Sequence, residues 1–426
     1  MSPAAPALME TTTTVMVVAC LLLIPLAIAG IALVNTGLGR SRSASHSMLA
    51  TLCAVSAAAA AYFVCGFAVQ GFAGGPAHTI SAAGRQWNWI AAQPLFLRGL
   101  PIDGSPASLI LWLQMFSVAL AALIPLGAGL DRWRLGAASA STALLAGLIY
   151  PLFAHWVWGG GWLAQIGYLD AAGGGPVQAM GGLSALAIAW ILGPRRGKYS
   201  SEGGLPAAIP GHNAVLVLFA CFLAWAGWLG LNGAGALLFG GAPVGALVLV
   251  ELNTTLSAAM ACLAAAAITR ARFGRPDASL CANGWIGGLA ASSAGCLFVT
   301  PGVAALVGLV AGALVVFTVE WLDIHAEIDD PTGSISVHAV GGIWGVLALG
   351  LFARSGVPAQ PIAQIAGVAT LLGFVLPVVY GLNWLLDRLT PQRVPPEAER
   401  QGLDLHELGA GAYPEFVIHR EDFLQR

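Results

Sequence analysis

The sequence predicts an all-α polytopic membrane protein, with eleven transmembrane helices arranged as two inverted five-helix repeats plus one extra helix. Three observations carry this prediction. Only 9% of the 426 residues are charged and 58% are hydrophobic, whereas a soluble domain carries about 25% charged residues. Apolar runs of spanning length, roughly 20 residues, recur along the whole chain. One phrase also occurs twice: Asp170 precedes Val177-Gln178-Ala179-Met180-Gly181-Gly182-Leu183, and Asp330 precedes Val337-His338-Ala339-Val340-Gly341-Gly342-Ile343.

The apolar runs fall at about 13–38, 47–73, 108–130, 138–158, 177–194, 212–231, 244–269, 281–299, 303–322, 335–353 and 362–387. Charge and turn residues separate them, as at Gly39-Arg40, Asp131-Arg132 and Gly274-Arg275-Pro276. Residues 1–12 lack the basic n-region of a signal peptide, so the first run is read as a span. The 55 glycines are too many for soluble helices but suit close helix packing in lipid. The chain therefore divides into a transmembrane domain, 1–388, and a tail, 389–426, read as a solvated cytoplasmic segment and not as a second domain.

Lysine and arginine set the orientation. The loops after odd-numbered spans hold Arg40, Arg42, Arg132, Arg134, Arg195, Arg196, Lys198, Arg270, Arg272 and Arg275, and Arg388 with the four arginines of the tail adds five more. That places 15 of the 18 basic residues on one side. The expectation is a multi-pass protein of a cell (plasma or inner) membrane, N-terminus outside and C-terminus cytoplasmic. One loop departs from the pattern: residues 323–333 carry acids and no lysine or arginine.

The repeated phrase opens span 5 and span 10, as five plus five plus one requires. Five is odd, so the halves face opposite ways, and inverted repeats bring their common elements together near mid-membrane. Gln178 and His338 are then expected to meet. Polar groups at membrane depth are costly and mark substrate or ion paths. A neutral imidazole at His338 can both donate and accept a hydrogen bond. Gln178 offers two donors and an acceptor but no useful proton exchange, so the pair can bind a small polar solute yet makes a poor proton wire.

Trp156, Trp158 and Trp162 cluster at the outer end of span 4 around Gly159-Gly160-Gly161. Trp156 and Trp162 read as interfacial belt residues. Trp158, beside three glycines, is placed to offer its face to a cation, an attraction of about 0.5–2 kcal/mol. Asp170 either raises the local cation concentration or caps the helix starting near Pro176, with capping favoured. Asp330 carries the same two readings. His155, Glu251 and Glu320, also within apolar runs, read as bonds to neighbouring helices. The seven cysteines form no C-x-x-C pair and read as packing residues. No motif for a metal, a cofactor, nucleic acid or catalysis stands out, and the chain is not read as an enzyme.

Together these residues resemble the ammonium transporters of the Amt/Mep/Rh family over nearly the whole chain. The likeness rests on Gly37-Leu38-Gly39-Arg40, Ala154-His155-Trp156-Val157-Trp158-Gly159-Gly160-Gly161 and Leu169-Asp170-Ala171-Ala172-Gly173-Gly174. It continues with Gly227-Trp228-Leu229-Gly230-Leu231-Asn232, Asp329-Asp330-Pro331 and a tail running from Arg393-Val394-Pro395 through Gly402-Leu403-Asp404-Leu405 to Ala412-Tyr413. The resemblance implies a homotrimer with one pore per subunit, ammonium or ammonia as the substrate, and docking of a PII-type regulator on the cytoplasmic face. It also implies pore positions: His338 matches the second of two pore histidines, Trp158 an outer tryptophan and Asp170 the aspartate near the entrance. Other positions depart. Gln178 replaces the first pore histidine, Gly235 replaces a vestibule serine, and Ser117 (with Phe116 adjacent) and Leu231 stand where two stacked phenylalanines close the gate.

Three functions remain open at this point. The first is an ammonium or ammonia transporter in which Trp158 recruits and Gln178 and His338 bind. The second is a permease for another small amine or neutral solute, suggested by the widened gate. The third is an ammonium receptor that conducts nothing and reports through a separate partner.

Overall fold

The computed structural model describes residues 4–200, 204–357 and 361–413. Its bundle helices are α1 (Ala4–Leu38), α2 (Ser41–Gln70), α3 (Pro106–Ala128), α4 (135–158), α5 (Gly174–Leu192) and α6 (Ala214–Leu238). They continue as α7 (Leu247–Phe273), α8 (Ala278–Gly295), α9 (Pro301–Ile324), α10 (Ile335–Phe352) and α11 (Pro361–Leu389). Among the described residues, ten helices are long and apolar enough to cross a membrane. The other, α8, has 18 residues. Neighbours α6, α7, α9 and α10 enclose it, so its Gly, Ala and Ser positions serve close packing more than lipid contact.

The two halves pack alike. α1 lies against α6, the first helix of each half. Within the first half α2 meets α3 and α4, and α3 meets α5; within the second α7 meets α8 and α9, and α8 meets α10. α5 enters from the end that carries Trp158 and α10 from the end that carries Asp329, which is the inversion. Each opens with a wider π-helical turn, Gly174–Ala179 and Ile335–Val340, a device common at functional sites. The di-glycines explain how the two helices cross. A Cβ on Gly342 would lie 2.7 Å from the backbone nitrogen of Ala179, and one on Gly182 would collide with that of Ala339. Only glycine lets these backbones approach so closely.

One element lies outside the all-helical expectation. Between α2 and α3 the chain forms an antiparallel hairpin, β1 (Ala77–Ala82) and β2 (Arg85–Ala91). Ile80, Trp87, Trp89 and Ile90 favour strand. The two-residue turn places Ala83 and Gly84 at φ +50° and +72°, the left-handed pair that matches strand twist.

At the opposite end, an ion network joins three loops, those that follow α3, α5 and α9. The Arg195 guanidinium grips both oxygens of Asp329 at 2.9 Å and reaches Asp131 Oδ2 at 3.2 Å. Arg132, fully buried, donates to the carbonyls of Gly193 and Asp329 at 2.8 and 2.9 Å. Asp323 takes Lys198 at 2.8 Å. This accounts for the acidic loop that breaks the charge asymmetry: Asp323 and Asp329 are counter-ions for the basic loops beside them. Burial pushes the Asp329 carboxyl up, but the Arg195 hydrogen bonds and the charges of Arg132 and Arg195 outweigh it and hold the group at about 2.

A depressed carboxylate stabilises the fold above its unfolded pKa, near 3.9, and loses that contribution as pH falls through its folded value. Asp329 is therefore expected to add about 2–3 kcal/mol at neutral pH, lost between about pH 4 and 2. Thermal unfolding in detergent checks this. Asp329→Asn should lower the neutral-pH midpoint by leaving Arg195 and Arg132 underpaired, and should flatten the acid dependence in that window. An unchanged acid profile in the variant would refute the assignment.

The tail is not the solvated segment expected. Arg393 donates to the Leu192 carbonyl at 2.7 Å, Asp404 accepts from His46 N at 2.7 Å, and Glu407 accepts from Leu135 N at 2.9 Å. Gln392, Glu399, Leu403 and Asp404 are buried. Polar side chains aimed at free N–H and C=O groups of the loops seat the tail on the bundle, which a count of its charges could not reveal. The expected tail beyond Tyr413 lies outside the described residues.

Candidate functional site: a polar pair beneath an aromatic vestibule

The π turns of α5 and α10 bring Gln178 and His338 into direct contact. His338 Nδ1 lies 2.8 Å from Gln178 Oε1, both residues buried. An amide oxygen only accepts, so Nδ1 carries the hydrogen and donates. Two groups remain for a ligand: the lone pair of His338 Nε2 and the N–H donors of Gln178 Nε2, which is buried without a protein partner. The Trp228 ring, from α6, lies nearly parallel to the imidazole at 6.5 Å and 25°. Its Nε1 donates to Ser293 Oγ at 3.2 Å. Leu231, one turn further along α6, is also buried.

Above the pair, a vestibule of roughly 810 Å³ is lined by Trp158, Phe239, Leu238, Ile110, Phe72 and Arg98, among others. Trp158 is stacked on Phe239 at 4.5 Å and 10°, so one of its faces is covered. Its indole N–H donates to the Asp170 carbonyl at 2.8 Å. Below the pair, a void of about 10 Å³, room for one water-sized sphere, is lined by Asn35, Asn283, Thr332, Ser334 and His338.

Asp170 is spent on the backbone. Oδ1 accepts from Ala172 N, Gly173 N and Gly174 N at 3.2, 2.6 and 3.0 Å, and Oδ2 from Gly175 N at 2.7 Å. Burial pushes this carboxyl up to about 6 while those four N–H groups pull the other way. Asp330 Oδ2 caps α10 similarly, accepting from Ile335 N at 2.7 Å. The other gate candidates divide. Ser117 is buried, its hydroxyl donating to the Leu113 carbonyl at 3.0 Å. Phe116, the next position around α3, pairs with Trp112 at 6.2 Å. Gly235 is a spacer: a Cβ there would lie 2.5 Å from the Ala171 carbonyl oxygen, so the Asp170 loop takes the room a serine would need.

His155 has both ring nitrogens bonded, to the Gln70 carbonyl at 2.6 Å and Asn88 Oδ1 at 2.8 Å. Glu320 pairs with Arg272. The sequence assigns no site role to two residues here, Phe239 and Trp228, although Trp228 stands in one of the motifs that carry the resemblance. Each is one aromatic among many in apolar runs, and the signal for a site role is helical spacing, from Gly235 to Phe239 and from Trp228 to Leu231.

Comparison with known proteins gives the family. The description "Ammonium Transporter Family" matches residues 15–413. Ammonium transporter Amt2 of Archaeoglobus fulgidus is 34% identical over 417 residues, covering 91% of this chain and 85% of that one. The ammonium transporter of Bacillus subtilis is 30% identical, covering 95% and 99%. Among solved structures, a protein titled "Sensor Amt Protein" superposes with a TM-score of 0.86 at 29% identity, covering 94% and 99%. Candida albicans Mep2 gives 0.79 at 26%, covering 95% and 90%. This is a membrane transport family and not an enzyme family. The chain belongs to the ammonium transporter family.

Proposed function

We propose that the protein passes ammonium nitrogen across a cell membrane as neutral ammonia, through a pore in each subunit of a homotrimer. The single observation that carries this reading is the Gln178–His338 bond. It leaves one acceptor, His338 Nε2, and one set of donors, Gln178 Nε2. Ammonia both donates and accepts and satisfies the two together. Ammonium has only donors, so it would meet the imidazole lone pair but be repelled by the amide hydrogens. Its dehydration in an apolar pore is costly as well. Gln178 cannot pass a proton onward, so a two-histidine relay is interrupted. Trp158 would receive ammonium at the vestibule, with Phe239, Leu231 and Ser117 forming the passage down to the pair. Family membership supports the trimer. The arginine-rich loops support a cytoplasmic position for the charged end and for the tail, whose residues 390–413 dock on it, with the N-terminus outside; there the tail would offer a seat for a PII-type regulator.

The test is flux into proteoliposomes, following internal pH and membrane current together. The expected outcome is ammonium-dependent alkalinisation above protein-free liposomes with little or no current. An ammonium-evoked current would overturn neutral passage. A second reading, an ammonium receptor, is favoured by the covered face of Trp158 and by likeness to the structure titled as a sensor. Clear ammonium binding without flux or current would select it.

Phe239→Ala adds a prediction. Uncovering the second face of Trp158 should tighten ammonium recruitment by the worth of one cation–π contact, about 0.5–2 kcal/mol or about 2- to 30-fold. Calorimetric titration with ammonium checks it, and an unchanged affinity would place recruitment elsewhere.

A further inference from the structure

A vestibule that gathers a cation is expected to be neutral or acidic. This one is neither. Among its described lining residues Arg98 alone carries a formal charge, and no carboxylate lines it. The acid on the same loop, Asp103, does not line the cavity, and its Oδ1 accepts from Ser105 N at 2.9 Å. Asp170 lies buried behind Trp158, its oxygens taken by backbone N–H groups.

The backbone before Arg98 is also unusual. Phe96 and Leu97, neither of them glycine, adopt φ +59° and +54°. Left-handed geometry in bulky residues is strained, and such strain concentrates at functional sites. Phe96 is anchored edge-on against Phe63 at 5.9 Å. The Arg98 guanidinium lies over the Phe96 ring at 5.7 Å, a cation–π contact. A strained turn and an anchored ring thus hold one positive charge at the mouth of the site. Among the described ion pairs none neutralises it.

We propose that Arg98 is a specificity-determining residue of the entrance, a fixed positive charge that opposes cation accumulation and sets the ammonium concentration at which the pore fills. This rests on the transport reading only for its consequence; the effect on ammonium binding stands independently of conduction. A cavity of 810 Å³ is about 12 Å across if taken as a sphere. Like charges separated by roughly that distance, in a medium between protein surface and water, lower local cation occupancy about two- to tenfold. The charge disfavours every cation and leaves neutral solutes untouched, which suits a passage that admits ammonia.

The experiment compares Arg98→Gln and Arg98→Lys with the parent protein, by calorimetric ammonium titration in detergent and by flux in liposomes. Ionic strength is set at about 10 mM and about 150 mM with a bulky-cation salt, where screening lengths are about 30 and 8 Å. Arg98→Gln is expected to tighten ammonium binding and lower the half-saturating concentration about two- to tenfold at low salt, with the maximal rate little changed. The difference should shrink at the higher salt, and Arg98→Lys should behave like the parent. Unchanged binding in Arg98→Gln at low salt would overturn the proposal, as would equal shifts in the Gln and Lys variants, which would point to packing on Phe96. Absence of flux in every protein, with the binding shifts intact, would count against conduction and not against Arg98.

Discussion

His338→Ala should reduce ammonium-dependent flux at least tenfold, towards the level of protein-free liposomes, whereas Gln178→His should add an ammonium-evoked current that the parent lacks. The alanine variant removes the imidazole lone pair that faces the site and leaves Gln178 Oε1 without its donor. An unsatisfied buried group costs about 1–3 kcal/mol, enough to close the space around the amide or to draw water into it. The histidine variant places a second imidazole within reach of Nδ1, and each ring can take a proton on one nitrogen while releasing it from the other. Thermal unfolding of both variants separates lost flux from lost fold. Parental flux in a folded His338→Ala protein would mean that the passage lies elsewhere.

Asp170→Ala should be the most destabilising single change in the segment that backs the vestibule. It strips the acceptor from four backbone N–H groups at once. The penalty is expected at about 3–5 kcal/mol, since each orphaned buried donor costs about 1–3 kcal/mol and neighbours are not additive. Asp170→Asn keeps Oδ1 as an acceptor but turns an NH2 toward Gly175 N, so an intermediate loss is expected. The pair also decides between the two roles open at the sequence level. If Asp170 is a cap, stability and ammonium affinity fall together because the Trp158 N–H is held by the same segment. A stable Asp170→Asn protein with weakened affinity would instead show that the charge gathers cations.

Much of this architecture was legible in the sequence because it is dictated by coarse constraints. A span must be long and apolar, loops must carry charge, and duplicated polar residues inside a span must have a reason. The meeting of Gln178 and His338 followed from the repeat and from parity alone. What could not be read were relations between segments distant in sequence. The acids of loop 323–333 looked like exceptions until their partners, Arg195 and Lys198, stood beside them. Glu407 looked like tail solvation until it met His46 and Leu135. Phe239 was invisible because an apolar helix gives no sign of which of its aromatic rings will find a tryptophan face, and Gly235 was misleading because a missing side chain does not say what fills its place.

The glycine crossing of α5 and α10 has a consequence for how a duplicated protein can diverge. Gly182 and Gly342 each abut the other repeat's backbone, so neither can change without the opposite helix moving, and the two copies remain tied at that point. One turn away, Gln178 and His338 are buried and share a single hydrogen bond, and neither backbone is pressed against the other there by a missing Cβ. Change is therefore easier at the two positions proposed to contact the solute than at the two glycines that hold the helix crossing together. A lineage of this shape can exchange one chemistry for another in one half while its scaffold stays symmetric.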